Sequence, residues 1–158
     1  MGGSAPERRR LALTVGDPAG IGPEIAAAVL LSGGAEAADL FVIGAAGGLD
    51  RILEGSGGGP LPRVTAGRAS RHEGPFPVMI DVAGDIEVPA GGPGAEGGTV
   101  SGRAVETAAA LAKEGSIEGI VTGPVSKEAL RLAGYSYIGH TDMLAGLLDS
   151  PDCQMMMV

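Results

Sequence analysis

The chain has no tryptophan, two tyrosines, two phenylalanines and a single cysteine. With aromatics at 3% of residues, its core has to be aliphatic and thin, because few large rings are available to bury. One cysteine, Cys153, excludes an internal disulfide framework and fits a reducing compartment, where a lone thiol is expected to be a buried structural group. No apolar run reaches the ~18 residues that a membrane-spanning helix needs. The sequence Arg8-Arg9-Arg10 ahead of an apolar stretch is reminiscent of a signal peptide, but Gly16-Asp17-Pro18 breaks that stretch too soon for the hydrophobic region of one. A cytoplasmic location is therefore expected. Charged residues make up only 19% of the chain and lean acidic, to a net charge of -8. Non-specific nucleic-acid binding, which begins with Lys and Arg neutralising phosphates, is excluded by that balance. No basic stripe interleaved with aromatics is present either.

Glycine is what the chain has in excess: 29 of 158 residues, about 18% against a usual ~7%. The length is that of one ordinary domain, and 44% apolar residues with positive mean hydropathy argue against disorder. Residues 11–15 read as a strand covered on both faces, followed by a Gly/Pro-rich loop and a helix from Pro23 through Leu31 that stops at Gly33-Gly34. A second strand is expected at 39–43, a short helix at 49–53 and a third strand at 77–82. The Gly- and Pro-rich stretches 60–77 and 84–98 read as loops or short irregular strands. A helix over 103–113, with Ser101 as its cap and Gly115 as its stop, precedes a strand at 117–122. Ser126 caps a further helix to Leu132, a short helix covers 142–148, and Met155 to Val158 is strand-like. Strands alternating with helices place the chain in the α/β class.

Three segments stand where chemistry can be done. The first, Gly16-Asp17-Pro18-Ala19-Gly20-Ile21-Gly22-Pro23-Glu24, joins a strand to a helix N-terminus, where free N–H groups can receive a polar ligand group. It is neither a Walker A loop nor the dinucleotide fingerprint, because no Gly-Lys-Ser/Thr follows and Pro23 interrupts the spacing. A tight turn for close helix–strand packing explains the same residues. The second, Thr122-Gly123-Pro124-Val125-Ser126-Lys127, sits in an equivalent position and sets Lys127 near a helix start, either for a ligand or simply solvated. The third, Gly134 to Asp142, puts His140 just before a helix that Thr141 is expected to cap. That position disfavours the imidazolium and leaves a neutral ring for a ligand oxygen, or for a nearby carbonyl. His72 lies in a polar loop and reads as solvated. The two histidines, one cysteine and scattered acids form no metal-ligand spacing, and no Gly-x-Ser-x-Gly elbow occurs.

Together, and in this order, the three segments resemble those of the 4-hydroxythreonine-4-phosphate dehydrogenase family of pyridoxal phosphate biosynthesis. The family's Gly-Asp/Glu-Pro-Ala-Gly-Ile-Gly-Pro loop is matched from Gly16, its Val/Ile-Thr-Gly/Ala-Pro-x-x-Lys segment by Val121 to Lys127, and its Ala-Gly-x-x-x-x-Gly-His-Thr-Asp/Glu segment by Ala133 to Asp142. The terminal Met155-Met156-Met157-Val158 looks like the family's Met-Met-Leu strand. The resemblance implies an α/β/α layered fold similar to isocitrate and isopropylmalate dehydrogenases, an active site in a cleft between subdomains, and homodimers. It implies NAD or NADP as the oxidant of 4-phosphooxy-threonine, decarboxylation of the product, and a divalent metal (Zn, Mg or Co) that three histidines hold against the reacting hydroxyl.

Carried over residue by residue, the family's substrate-binding pair falls on His140 and Thr141, and its lysine on Lys127. The family's three metal-binding histidines and its nucleotide contacts lie beyond Val158, and neither His72 nor His140 matches a metal ligand. The resemblance thus gives no catalytic, cofactor-binding or metal-binding residue here. Residues 1–10 are expected to be a disordered tail and 11–158 the N-terminal part of the dehydrogenase fold, with its C-terminal half absent. Such a chain is expected to lack dehydrogenase activity unless another chain supplies the missing half. Two alternatives remain open: a 4-phospho-erythronate or 4-phospho-threonate dehydrogenase of the same family, and a noncatalytic remnant that binds a phosphorylated ligand or dimerises.

Overall fold

The computed structural model describes residues 8–89 and 91–150. Four parallel strands, β1 (Arg10–Thr14), β2 (Asp39–Gly44), β3 (Val78–Asp81) and β4 (Gly119–Thr122), form one sheet in the order β3-β2-β1-β4. Leu13 stands opposite Val42 on one side and Val121 on the other, which fixes the register. Side chains alternate strictly across the sheet, as the pleat requires. Ala12, Phe41, Ile43, Val78 and Ile80 enter one apolar cluster, while Leu13, Val42 and Met79 enter the other. The first cluster is closed by α3 (Ala95–Lys113) through Ala104, Ala108 and Leu111. The second is closed by α1 (Gly22–Leu31) through Ala26 and Ala27, and by α2 (Ala46–Gly55) through Leu49 and Leu53. The result is a three-layer α/β/α arrangement, and Phe41 is the one aromatic ring that is fully buried among the described residues.

The strand order carries the functional geometry. From β1 the chain winds outward through β2 to β3, and α3 then brings it back past both to place β4 on the other side of β1. The winding direction therefore reverses between β1 and β4, and loops leaving those two strands diverge around a crevice at the carboxyl edge of the sheet. Those loops are the first and second segments singled out above.

Several expectations are corrected by the structure. Helix α3 begins at Ala95, with Gly94 as its N-cap, so 95–98 are helical and not loop. Ser101 caps nothing; it lies buried inside α3, with its hydroxyl donating to the Gly97 carbonyl at 2.7 Å. Glycines alone would not hold a helix there; tertiary packing overrides their weak propensity. Helix α2 is longer than expected, starting at Ala46. Of the expected disordered tail 1–10, residues 1–7 lie outside the described residues. Arg10 opens β1, Arg8 donates to the carbonyls of Ala35 and Ala38, and Arg9 pairs with Glu118. His72 is half-buried, its ring edge-on to Phe41 and Phe76 at 6.3 and 5.0 Å. The readings for Cys153 and for Met155 to Val158 fall outside the described residues.

The helix α4 (Lys127–Leu132) is capped as expected: the Ser126 hydroxyl accepts from the Ala129 N–H at 3.1 Å. Replacing Ser126 with Ala is expected to cost about 1 kcal/mol in urea unfolding, with Ser126→Asp restoring most of it.

Candidate functional site

The first two segments are laced together by backbone. Gly123 N–H donates to the Thr14 carbonyl at 2.8 Å and approaches its hydroxyl at 3.3 Å, and Asp17 N–H donates to the Pro124 carbonyl at 2.9 Å. A Cβ on Gly16 would stand 2.2 Å from the Pro124 oxygen, and one on Gly123 would stand 2.5 Å from the Val15 oxygen. The glycines are there because two backbones touch. Gly22 obeys the same rule, with the Val15 carbonyl 2.1 Å from its would-be Cβ. The first loop is therefore a packing element between helix and strand. Asp17 is buried beside it; one carboxylate oxygen accepts from the Ala19 N–H at 2.9 Å and faces Gly97 at the start of α3.

The third segment is set against this brace. Helix α5 (His140–Leu147) begins two residues earlier than expected: Gly139 is its N-cap and His140 its first residue. Thr141 does not cap. Asp142 instead fixes the turn ahead of the helix, its carboxylate reaching back to accept from the Ile138 N–H at 3.1 Å, and its charge suits the positive helix end. Two tyrosines seat the segment. The Tyr135 ring fills the space over Gly102 of α3, where a Cβ would meet it at 2.1 Å, and Tyr137 lies against Gly146 of α5. Burial, then the nearby Glu106 carboxylate, pushes the Tyr135 hydroxyl up to about 12.

His140 is where the segments meet. Burial lowers its pKa, and a hydrogen bond to the Gly123 backbone opposes that shift. A bond that favours the charged ring is one in which the imidazole donates and the Gly123 carbonyl accepts. Its Nε2 is sealed from solvent and has no hydrogen-bond partner among the described residues. Burial thus favours the neutral ring, set against the loop that follows β4. Lys127, first residue of α4 and exposed, runs its stem past Gly139, with Cε 4.0 Å from where a Cβ would stand. The structure therefore brings Lys127, Gly123 and His140 together, with half-buried Thr141 next in α5. Reasoning from sequence places Asp142 in the first helical turn but misses its bond to Ile138, and it misses Thr14 and Tyr135. A threonine closing a strand was the available signal for Thr14.

Among the described residues no group of three or more His, Cys, Asp or Glu side chains could hold a metal ion. No described helix is long and apolar enough to cross a membrane.

Residues 37–158 match the family model described as pyridoxal phosphate biosynthetic protein PdxA. The D-threonate 4-phosphate dehydrogenase of Bordetella bronchiseptica is 44% identical over 140 residues, 85% of this chain and 40% of that protein. The enzyme of the same name from Salmonella typhimurium is 38% identical over 96% of this chain and 47% of its own length. The crystal structure of a 4-hydroxythreonine-4-phosphate dehydrogenase from Burkholderia phymatum superposes with a TM-score of 0.74 at 31% identity, over 89% of this chain and 44% of that one. The chain thus spans less than half the length of the relatives it matches.

Proposed function

The chain belongs to the PdxA family, and from that membership we propose that its residues form the substrate-gripping part of a nicotinamide-dependent dehydrogenase acting on a 4-phosphorylated hydroxy acid. The observation that carries this reading is the orphaned Nε2 of His140. A buried nitrogen left without a partner costs about 1–3 kcal/mol, and a ligand hydroxyl or ammonium brought to it removes that cost. Gly123 holds the ring in place, Asp142 holds the turn before it, and Lys127 and Thr141 border the same spot. NAD or NADP takes the hydride when bound. These residues bind and orient the substrate, and the metal and nucleotide contacts belong to parts of the family fold that this chain's described residues do not contain.

Between the two substrates of the family, D-threonate 4-phosphate is favoured by the names of the relatives at 44% and 38% identity. Nicotinamide reduction should be followed with D-threonate 4-phosphate and with 4-hydroxythreonine 4-phosphate. The polypeptide assayed should carry these residues together with the rest of the family fold. A higher kcat/KM for the threonate supports this reading, and reduction with neither substrate overturns it. The reading includes a homodimer in the cytoplasm; a monomer by light scattering at micromolar concentration would remove that part.

A further inference from the structure

A groove of about 1030 Å3 opens along the outer edge of β3, on the opposite side of the sheet from β4. Ile80 and Val82 give it an apolar wall, and Arg68 and Arg71 stand on its rim. The two arginines belong to the 3-10 turn Ala66–Arg71. Three residues complete one turn of such a helix, so side chains at i and i+3 eclipse. Both guanidinium groups therefore leave the turn on one side. Both residues are exposed, and neither side chain makes an ion pair or hydrogen bond with another described residue.

The turn that carries them is fixed from behind. Ala69 is fully buried in the core, and the Arg10 guanidinium donates to the carbonyls of Ser70 and His72 at 3.4 and 3.0 Å. The His72 ring is held against Phe41 and Phe76, as described above. A ligand here would meet a preformed backbone, and only two side chains would lose freedom on binding. Arg63 is paired with Asp50, and Asp81 and Glu73 are the acids of the groove; Asp81 uses one carboxylate oxygen to accept from the Ala83 N–H at 3.0 Å. Neither acid pairs with Arg68 or Arg71, so both guanidinium groups are open to an added anion.

We propose that this groove binds a small organic phosphomonoester, with its phosphate forked by Arg68 and Arg71 and its organic body lying on Ile80 and Val82. Two parallel N–H donors match phosphate oxygens, which a lysine ammonium cannot do. The size is that of small-molecule pockets, about 300–1000 Å3, and not of a flat protein interface. The site is separate from His140 and does not depend on the dehydrogenase reading.

The test titrates the protein with phenyl phosphate, observed through the arginine Nε–Hε resonances and by calorimetry. Saturable shifts at Arg68 and Arg71 are expected, with affinity at least about tenfold lower in Arg68→Ala/Arg71→Ala and intermediate in Arg68→Lys/Arg71→Lys. Because neither arginine has a partner to lose, the variants should melt with the wild type, which separates lost binding from lost structure. Unchanged affinity in the double alanine variant, or no saturation in the wild type, overturns the proposal. Equal affinity for inorganic phosphate overturns the assignment of an organic ligand. Tighter binding of a glutamate-rich peptide at the same arginines would assign the groove to a protein partner instead.

Discussion

Replacing Gly98 with alanine is expected to destabilise the chain by about 3 kcal/mol, near the upper end of the usual overpacking cost. A Cβ at that position would stand 1.9 Å from the Ala129 carbonyl oxygen, 2.3 Å from its carbon and 2.9 Å from the Leu130 nitrogen. All three are backbone atoms, so no side-chain rotation can relieve the clash; α3 and α4 must separate. Separation moves Lys127 away from Gly139 and loosens the turn that presents His140, so binding should weaken together with stability. Gly47→Ala is the matched control. A Cβ there meets nothing within 4 Å, and the position lies in α2, so the substitution should stabilise by about 0.5–1 kcal/mol. Urea unfolding of the two variants checks both signs; a Gly98→Ala protein as stable as wild type would show that α3 and α4 are not packed backbone to backbone.

His140→Ala is expected to lower kcat/KM for the phosphorylated substrate between about fivefold and a hundredfold, the worth of one buried polar contact. The same side chain has a signature that needs no substrate. Its folded pKa lies below the ordinary value of 6.5 because burial opposes the charge. Below about pH 6.5 the unfolded chain therefore binds a proton that the folded chain resists, and stability falls with acidification until the folded pKa is passed. Above that range the ring is neutral in both states and contributes no slope. Urea titrations at pH 7.5 and 5.5 should show wild type losing more stability than His140→Gln; parallel losses would mean the ring is not held neutral. Tyr135 works at the other extreme. Its hydroxyl titrates near 12 when folded, against 10 when free, so stability should fall as pH rises above about 10. Tyr135→Phe should remove that slope.

Much of this was legible before any coordinates. The apolar run at 11–15, Pro23 at a helix start and Ser126 as a cap each follow from a local rule, and each is present with bounds shifted by a residue or so. What was not legible depends on partners distant in sequence. The stretch around Gly97 and Gly98 reads as loop because glycine disfavours helix, yet it is helical because α4 and Asp17 press against a surface only glycine can present. The first loop reads equally as ligand cradle or tight turn, and its close backbone contact with Pro124 at Gly16 appears only in the structure. The approach of His140 to the Gly123 backbone has no local signal, because the two stand on separate segments brought together only by packing. The arginines of the β3 groove carry no motif, since their pairing comes from the pitch of a 3-10 turn.

The order in which strands are joined has a consequence for synthesis. β1 leaves the ribosome well before β4, but Leu11 is flanked in the finished sheet by Leu40 on one side and by Gly119 on the other. One flank of β1 must stay open while more than a hundred residues are added, and closing so long a loop is slow compared with pairing nearby strands. Until β4 emerges, that flank is a sticky template for any other nascent copy. Yield of this chain should therefore respond more to the rate of translation and to chaperone supply than its finished stability would indicate.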